Sequence, residues 1–228
     1  MSEKPLRAST RVVLTRDLEN LHNKFLKVVN NTYQITRLSL AISSAKQSSS
    51  FLEEKVNAFN QSIKEDILDL ENLALKILSL QQPLLKDLRF VIGILKVSEN
   101  IKHLNEQILQ FVVLYSSNLT PLELEKEEEK KEKKVLDQIS EINENLASFI
   151  QYFLEAIKSE SVESLKALLV KIENKSSFYS TTLKEAAGLE SFDKSFYLFE
   201  LVRLQERIKD LILIITKEIS FIYHEEKI

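Results

Sequence analysis

The histidines, carboxylates and nucleophiles of a chain do chemistry only when spacing lets them converge. The histidines here are His22, His103 and His224. Glu19-x-x-His22 has the i, i+3 spacing found in di-iron helical bundles. Such a centre needs a second Glu-x-x-His and two more inward glutamates. His103 is preceded at that spacing by Asn100, and His224 by Phe221, so the set is not completed. His22 is therefore read as a surface or boundary residue. Cysteine is absent, which removes disulfides, thiolate zinc sites and a Cys nucleophile, and suits a reducing cytoplasm. With 2 glycines, Gly93 and Gly188, neither a Gly-x-Ser-x-Gly elbow nor a P-loop can be written. No nucleophile–base constellation is visible, and the chain is not read as an enzyme.

The elements that would position any site follow from the same scarcity of breakers. A chain of 228 residues with 2 Gly and 3 Pro has little room for tight turns, and 44% hydrophobic residues suffice for a large core. Few, long helices are expected. Apolar residues recur at alternating spacings of three and four along Ile94, Val97, Ile101, Leu104, Ile108, Phe111 and Tyr115. They do so again along Leu201, Leu204, Ile208, Leu211, Ile215, Ile219 and Ile222. Both are seams for bundle packing at a shallow angle. Five polar breaks separate the helices. They lie at Ser43 to Ser50, at Gln81-Gln82 before Pro83, at Ser116 to Pro121, at Ser159 to Ser161, and at Gly188. Thr120 is expected to cap a helix that has Pro121 at its first position. The breaks predict six helices in two triplets, residues 1–118 and 119–228. The fold class is all-α: two tandem three-helix bundles with helices of about 35 residues, each about 50 Å long.

Charge bounds the partners. Lys+Arg number 31 and Asp+Glu 34, so no overall basic field attracts nucleic acid. The N-terminus is polar and lacks the core of a signal peptide. The apolar run Leu211–Ile215 is far too short to insert in a membrane. A soluble, intracellular protein is expected. Glu123 to Lys134 is a dense charge run, with Glu127–Lys131 and Glu129–Lys133 four apart in the favourable order. It reads as an exposed, self-supporting stretch of helix, with a docking surface as the alternative. Phe192, Phe196, Tyr197 and Phe199 carry more apolar area than one helix face buries, which suits a dimer contact.

One run is unusual: Gln82-Pro83-Leu84-Leu85-Lys86-Asp87-Leu88-Arg89-Phe90, continuing as Val91-Ile92-Gly93-Ile94-Leu95-Lys96. Proline suits a first helical turn, and Asp87 then sits near the positive end of the helix dipole. The run resembles the "QP…DLR…LK" helix start of the PhoU family, the accessory regulators of bacterial phosphate uptake. Asp17-Leu18-Glu19-Asn20-Leu21 is similar to the early part of that family's first helix. Leu204-Gln205-Glu206-Arg207-Ile208-Lys209-Asp210 is similar to its "LERIxD". The tandem three-helix plan, spectrin-like in outline, agrees with it.

The resemblance implies a non-catalytic regulator of phosphate uptake and phosphate-responsive signalling. It would act as an adaptor between phosphate transporter subunits and a membrane sensor kinase. A homodimer, cytoplasmic or peripheral at the inner face of the membrane, is implied as well. In the family, carboxylates four apart on the third helix of each repeat face one hard cation. Glu206 and Asp210 keep that spacing, which implies a divalent or iron cation in the second repeat. The corresponding pair in the first half is Lys102 and Glu106, and a charged lysine cannot ligate. The alternative for Glu206 and Asp210 is ion pairing with Arg203 and Arg207. For Asp87 and Arg89 it is structural service at the helix start, with Arg89 paired to Asp69 or Glu71; the functional reading is a regulatory surface. Rival functions are a metal-dependent regulator, a purely structural helical spacer, and an accessory of sodium- or proton-coupled phosphate carriers.

Overall fold

Every member of the first seam, Ile94 to Tyr115, is at most 4% exposed in the computed structural model. The structure describes residues 4–44, 50–117 and 126–224. It is built of α1 (Lys4–Ser44), α2 (Ser50–Gln81), α3 (Lys86–Ser117), α4 (Lys126–Lys158), α5 (Val162–Asn174), α6 (Ser176–Ala187) and α7 (Phe192–His224). No strand occurs among the described residues. The long helices run 32 to 41 residues, close to the length that the periodicity predicts.

The expected fifth helix is broken into α5 and α6 at Lys175, whose backbone sits at φ −89 and ψ −4. The break was not legible because the apolar register runs straight through it. Leu165, Leu168 and Ile172 of α5 are followed at the same heptad phase by Tyr179, Thr182 and Ala186 of α6. The fourth break falls where expected. Ser161 is the N-cap of α5, its Oγ accepting the Ser164 N–H at 3.1 Å. Gly188 does close α6, but at φ −88, so its stop needs no left-handed backbone. The second seam shifts by one residue near its middle. Ile212 is 2% exposed, while Leu211 is only partly buried. The Thr120–Pro121 cap and most of the Ser43–Ser50 turn lie outside the described residues.

Helices α1, α2 and α3 form one triplet, and α4, α5–α6 and α7 the other. α1 and α2 run antiparallel, clipped by Lys24–Asp69 at 3.3 Å and Lys27–Asp66 at 2.6 Å. The triplets join where α3 packs on α7 and α1 on α4. α3 and α7 are antiparallel: Lys96 meets Glu218 at 2.7 Å at one end, and the Tyr197 hydroxyl donates to the Tyr115 carbonyl at 3.2 Å at the other. The buried side chains of all seven helices form one continuous core. At its centre, between α1, α3, α4 and α7, is an apolar void of about 10 Å³, room for about one water and far below ligand size.

The charge run is exposed at Glu129 to Lys131, as expected, and its described residues also find partners beyond α4. Glu132 accepts from Lys194 at 2.6 Å, Lys134 reaches Glu185 at 2.9 Å, and Lys131 lies 4.0 Å from Glu190. The Glu127 of the expected Glu127–Lys131 pair lies outside the described side chains.

Candidate functional site

The connector between α2 and α3 is the first element to build. The chain reverses direction in four residues, Gln82 to Leu85, without a glycine. Gln82 and Leu85 do this at φ 47 and φ 51, in the left-handed region, each at a cost of about 1 kcal/mol or more. Pro83 does not start the helix. It is buried in the connector, and α3 begins three residues later at Lys86. The physical reason is that the left-handed residue Leu85 must precede the first helical turn. Asp87 does lie in that turn, with its own N–H donating to the Leu84 carbonyl at 3.2 Å. Asp69 and Glu71 of α2 are the partners that the sequence offers Arg89. Asp69 is engaged by Lys24 of α1, and the Arg89 guanidinium lies over the Phe221 ring of α7 at 5.9 Å. The corner is therefore tied to the last helix of the second triplet.

His22 confirms its boundary reading. It is half-buried and stacks on Phe90 with ring centroids 6.1 Å apart. Burial lowers its pKa, partly opposed by Glu160, which raises it.

On α3 the polar face of the seam carries Glu99, Lys102, His103 and Glu106. His103 lies between two carboxylates, Nε2 3.3 Å from Glu99 and Nδ1 3.4 Å from Glu106, and Lys102 is 3.8 Å from Glu99. Glu106 is thus engaged along its own helix. Asn105, one residue before it, is 1% exposed and donates to Thr32 of α1 at 3.1 Å.

On α7 the equivalent register places Glu206, Arg207, Lys209 and Asp210. The buried residue here is Lys209, where the first half has Asn105. Its side chain is 8% exposed, its Nζ is 3.0 Å from Asp210 Oδ1, and it lies 5.2 Å from the centre of the Tyr179 ring. Arg203 lies over Phe199 at 6.0 Å and Arg207 faces outward, so Asp210 is matched by Lys209 rather than by either arginine. Burial, with Asp210 and Glu206 nearby, pushes the Tyr179 hydroxyl pKa far up, and it stays protonated. Sequence reasoning missed Lys209, although a signal was present. It follows Gln205 by four and precedes Ile212 by three, which is the core-facing register.

These donors do not fit a resident hard cation. Such an ion takes six or more oxygens in a defined shell. Here two carboxylates one turn apart are offered, and an ammonium already neutralises one of them. No group of three or more His, Cys, Asp and Glu side chains gathers among the described residues. A second tie escaped the sequence as well. At the start of α7, Lys194 and Glu132 form a mostly buried pair beside the Tyr197–Tyr115 hydrogen bond. Phe192 and Phe196, two of the four aromatics singled out, stay exposed and stack on each other at 6.3 Å.

No protein-family model matches the sequence, and no curated protein matches it. The fold does have relatives among solved structures. The chain is similar to PhoU from Pseudomonas aeruginosa, with a TM-score of 0.79 at 16% identity, covering 92% of this chain and 98% of that one. It is similar also to the phosphate transport system regulatory protein PhoU from Streptococcus pneumoniae, with a TM-score of 0.76 at 18% identity, covering 92% and 96%. At such identity the likeness speaks for architecture. From its first helix to its last, this chain has the PhoU fold.

Proposed function

We propose that this chain is a non-catalytic regulator of inorganic phosphate uptake and of phosphate-responsive signalling. It works as an adaptor that touches phosphate transporter subunits and a membrane sensor kinase. The observation that carries the reading is the superposition of nearly the whole chain on two PhoU structures, each matched over almost its full length. The site chemistry is in keeping with it. The polar faces of α3 and α7 present charges already matched along the helix, which suits recognition better than turnover. No cation is given a part in this function.

The adaptor reading is tested by using the full chain as bait on detergent-solubilised membranes of its native cells. Recovery of a phosphate permease subunit is the expected result. Recovery of unrelated proteins alone would overturn it, as would unchanged phosphate uptake after deletion of the gene.

The adaptor is also proposed to be a homodimer, with the exposed Phe192–Phe196 pair at the contact. Two stacked rings, 79% and 59% exposed, are the largest unpartnered aromatic area at the start of α7. Sedimentation velocity is expected to give twice the chain mass, falling to a single chain for Phe192→Ser with Phe196→Ser. A wild-type chain that sediments as a monomer at micromolar concentration would refute this.

A further inference from the structure

Exposed apolar side chains concentrate at one corner of the molecule. Leu80, Leu84, Leu85, Leu88 and Ile92 are 70%, 72%, 87%, 36% and 51% exposed, and Phe221 is 61% exposed beside Arg89. Leu84 and Leu85 are the most exposed of them. The connector turns there through a left-handed leucine, so neither side chain folds back on the core.

The same corner receives the N-terminal part of α1. Asp17 accepts from Gln81, the last residue of α2, at 2.5 Å. Since the two helices are antiparallel, α1 from Arg16 back to Lys4 runs on past the end of α2. Thirteen residues of helix make about 20 Å. This stretch contains Lys4, Arg7, Arg11 and Arg16 and no acidic residue, in a chain whose net charge is −3. Arg11, Val12 and Val13 are all exposed, as is Lys86 at the start of α3.

We propose that this corner docks directly on an anionic lipid surface, with Leu84 and Leu85 seated among the acyl chains at the headgroup boundary. Arg11 of α1 and Lys86 of α3 lie against the headgroups. Basic residues beside interfacial leucines are the combination that gives both attraction and depth. The contact is peripheral, since no described helix is long and apolar enough to span a membrane. The proposal goes beyond the transporter reading, because it needs lipid alone.

The test is flotation of the full chain with vesicles, using phosphatidylcholine alone and phosphatidylcholine with an equal part of phosphatidylglycerol. Binding is expected to the mixed vesicles and to weaken with added salt. Leu84→Asn with Leu85→Asn is expected to weaken it at least roughly tenfold; asparagine keeps the left-handed backbone at position 85 accessible. Arg11→Glu with Lys86→Glu is expected to remove the preference for the anionic lipid. All these side chains are mutated outside the core, and an unchanged melting temperature checks that the variants fold. Equal binding to both vesicle types, or variants that bind like wild type, would overturn the proposal. So would a sedimentation mass that drops on the leucine substitutions, which would assign the corner to a second copy of the chain. Failure in pure lipid leaves the membrane pull-down untouched, so the two readings fail separately.

Discussion

Replacing Gly93 by leucine is expected to lower the stability of the whole protein by about 3 kcal/mol, seen as a melting temperature lower by about 10 °C. Gly93 lies on α3 facing the Ile222 side chain of α7. A Cβ built there would sit 2.2 Å from Ile222 Cδ1 and 2.6 Å from Ile222 Cγ1, against a normal carbon–carbon contact of about 3.5 to 4.0 Å. Glycine in mid-helix costs about 1 kcal/mol relative to alanine, so its presence is unfavourable locally and is offset by the close approach. Gly93→Ala should therefore be the milder change, since its propensity gain opposes the clash. The same geometry makes a coupling prediction. Ile222→Ala removes the atoms in the way, so Gly93→Leu with Ile222→Ala should be more stable than the sum of the single effects allows. Strictly additive effects in that cycle would mean that α3 and α7 do not approach at this point, and the joining of the triplets would need redrawing.

Phe111→Ala is expected to cost still more, about 3 to 5 kcal/mol. The Phe111 ring is 1% exposed on α3 and stacks on Tyr115 with centroids 5.8 Å apart. Truncation removes a large apolar group and leaves a hole beside the carbonyl that Tyr197 grips from α7. The internal comparison is Val113→Ala, on the same helix but 58% exposed. That change should stay within about 0.5 kcal/mol. Urea denaturation of the two variants checks the pair. Similar midpoints for both would show that the seam containing Phe111 does not face the core.

The candidate site was legible in parts, and the parts that failed share a cause. Glu206 and Asp210 were placed on one helix face by spacing alone, and so they are. Which cation meets Asp210 was not legible. Arg207, three residues before Asp210, fits helix-neighbour geometry on paper, whereas Lys209 is adjacent to it and does not. What brought in Lys209 instead was its burial against Tyr179 of α6, a residue 30 positions away in the chain. Arg89 was likewise assigned to α2, its neighbour in sequence, and was found against Phe221 of the last helix. Side-chain partners across a groove depend on how helices are rotated and staggered, and local spacing does not carry that information.

The sequence by itself determined that the protein is helical, about how long its five long helices are, and which stripe of α3, and most of that of α7, is buried. Alternating three and four spacings and a near absence of glycine and proline leave the backbone no other way to satisfy its hydrogen bonds and bury its leucines and isoleucines. It also pointed to the break before Pro83 and the one at Ser159 to Ser161, because those signals are local. Only the tertiary structure decided that α5 and α6 part at Lys175, that the two triplets share one core through α3 on α7, and that leucines at the connector face outward. These depend on long-range packing, where the free energy is decided by which surfaces meet rather than by which residues adjoin.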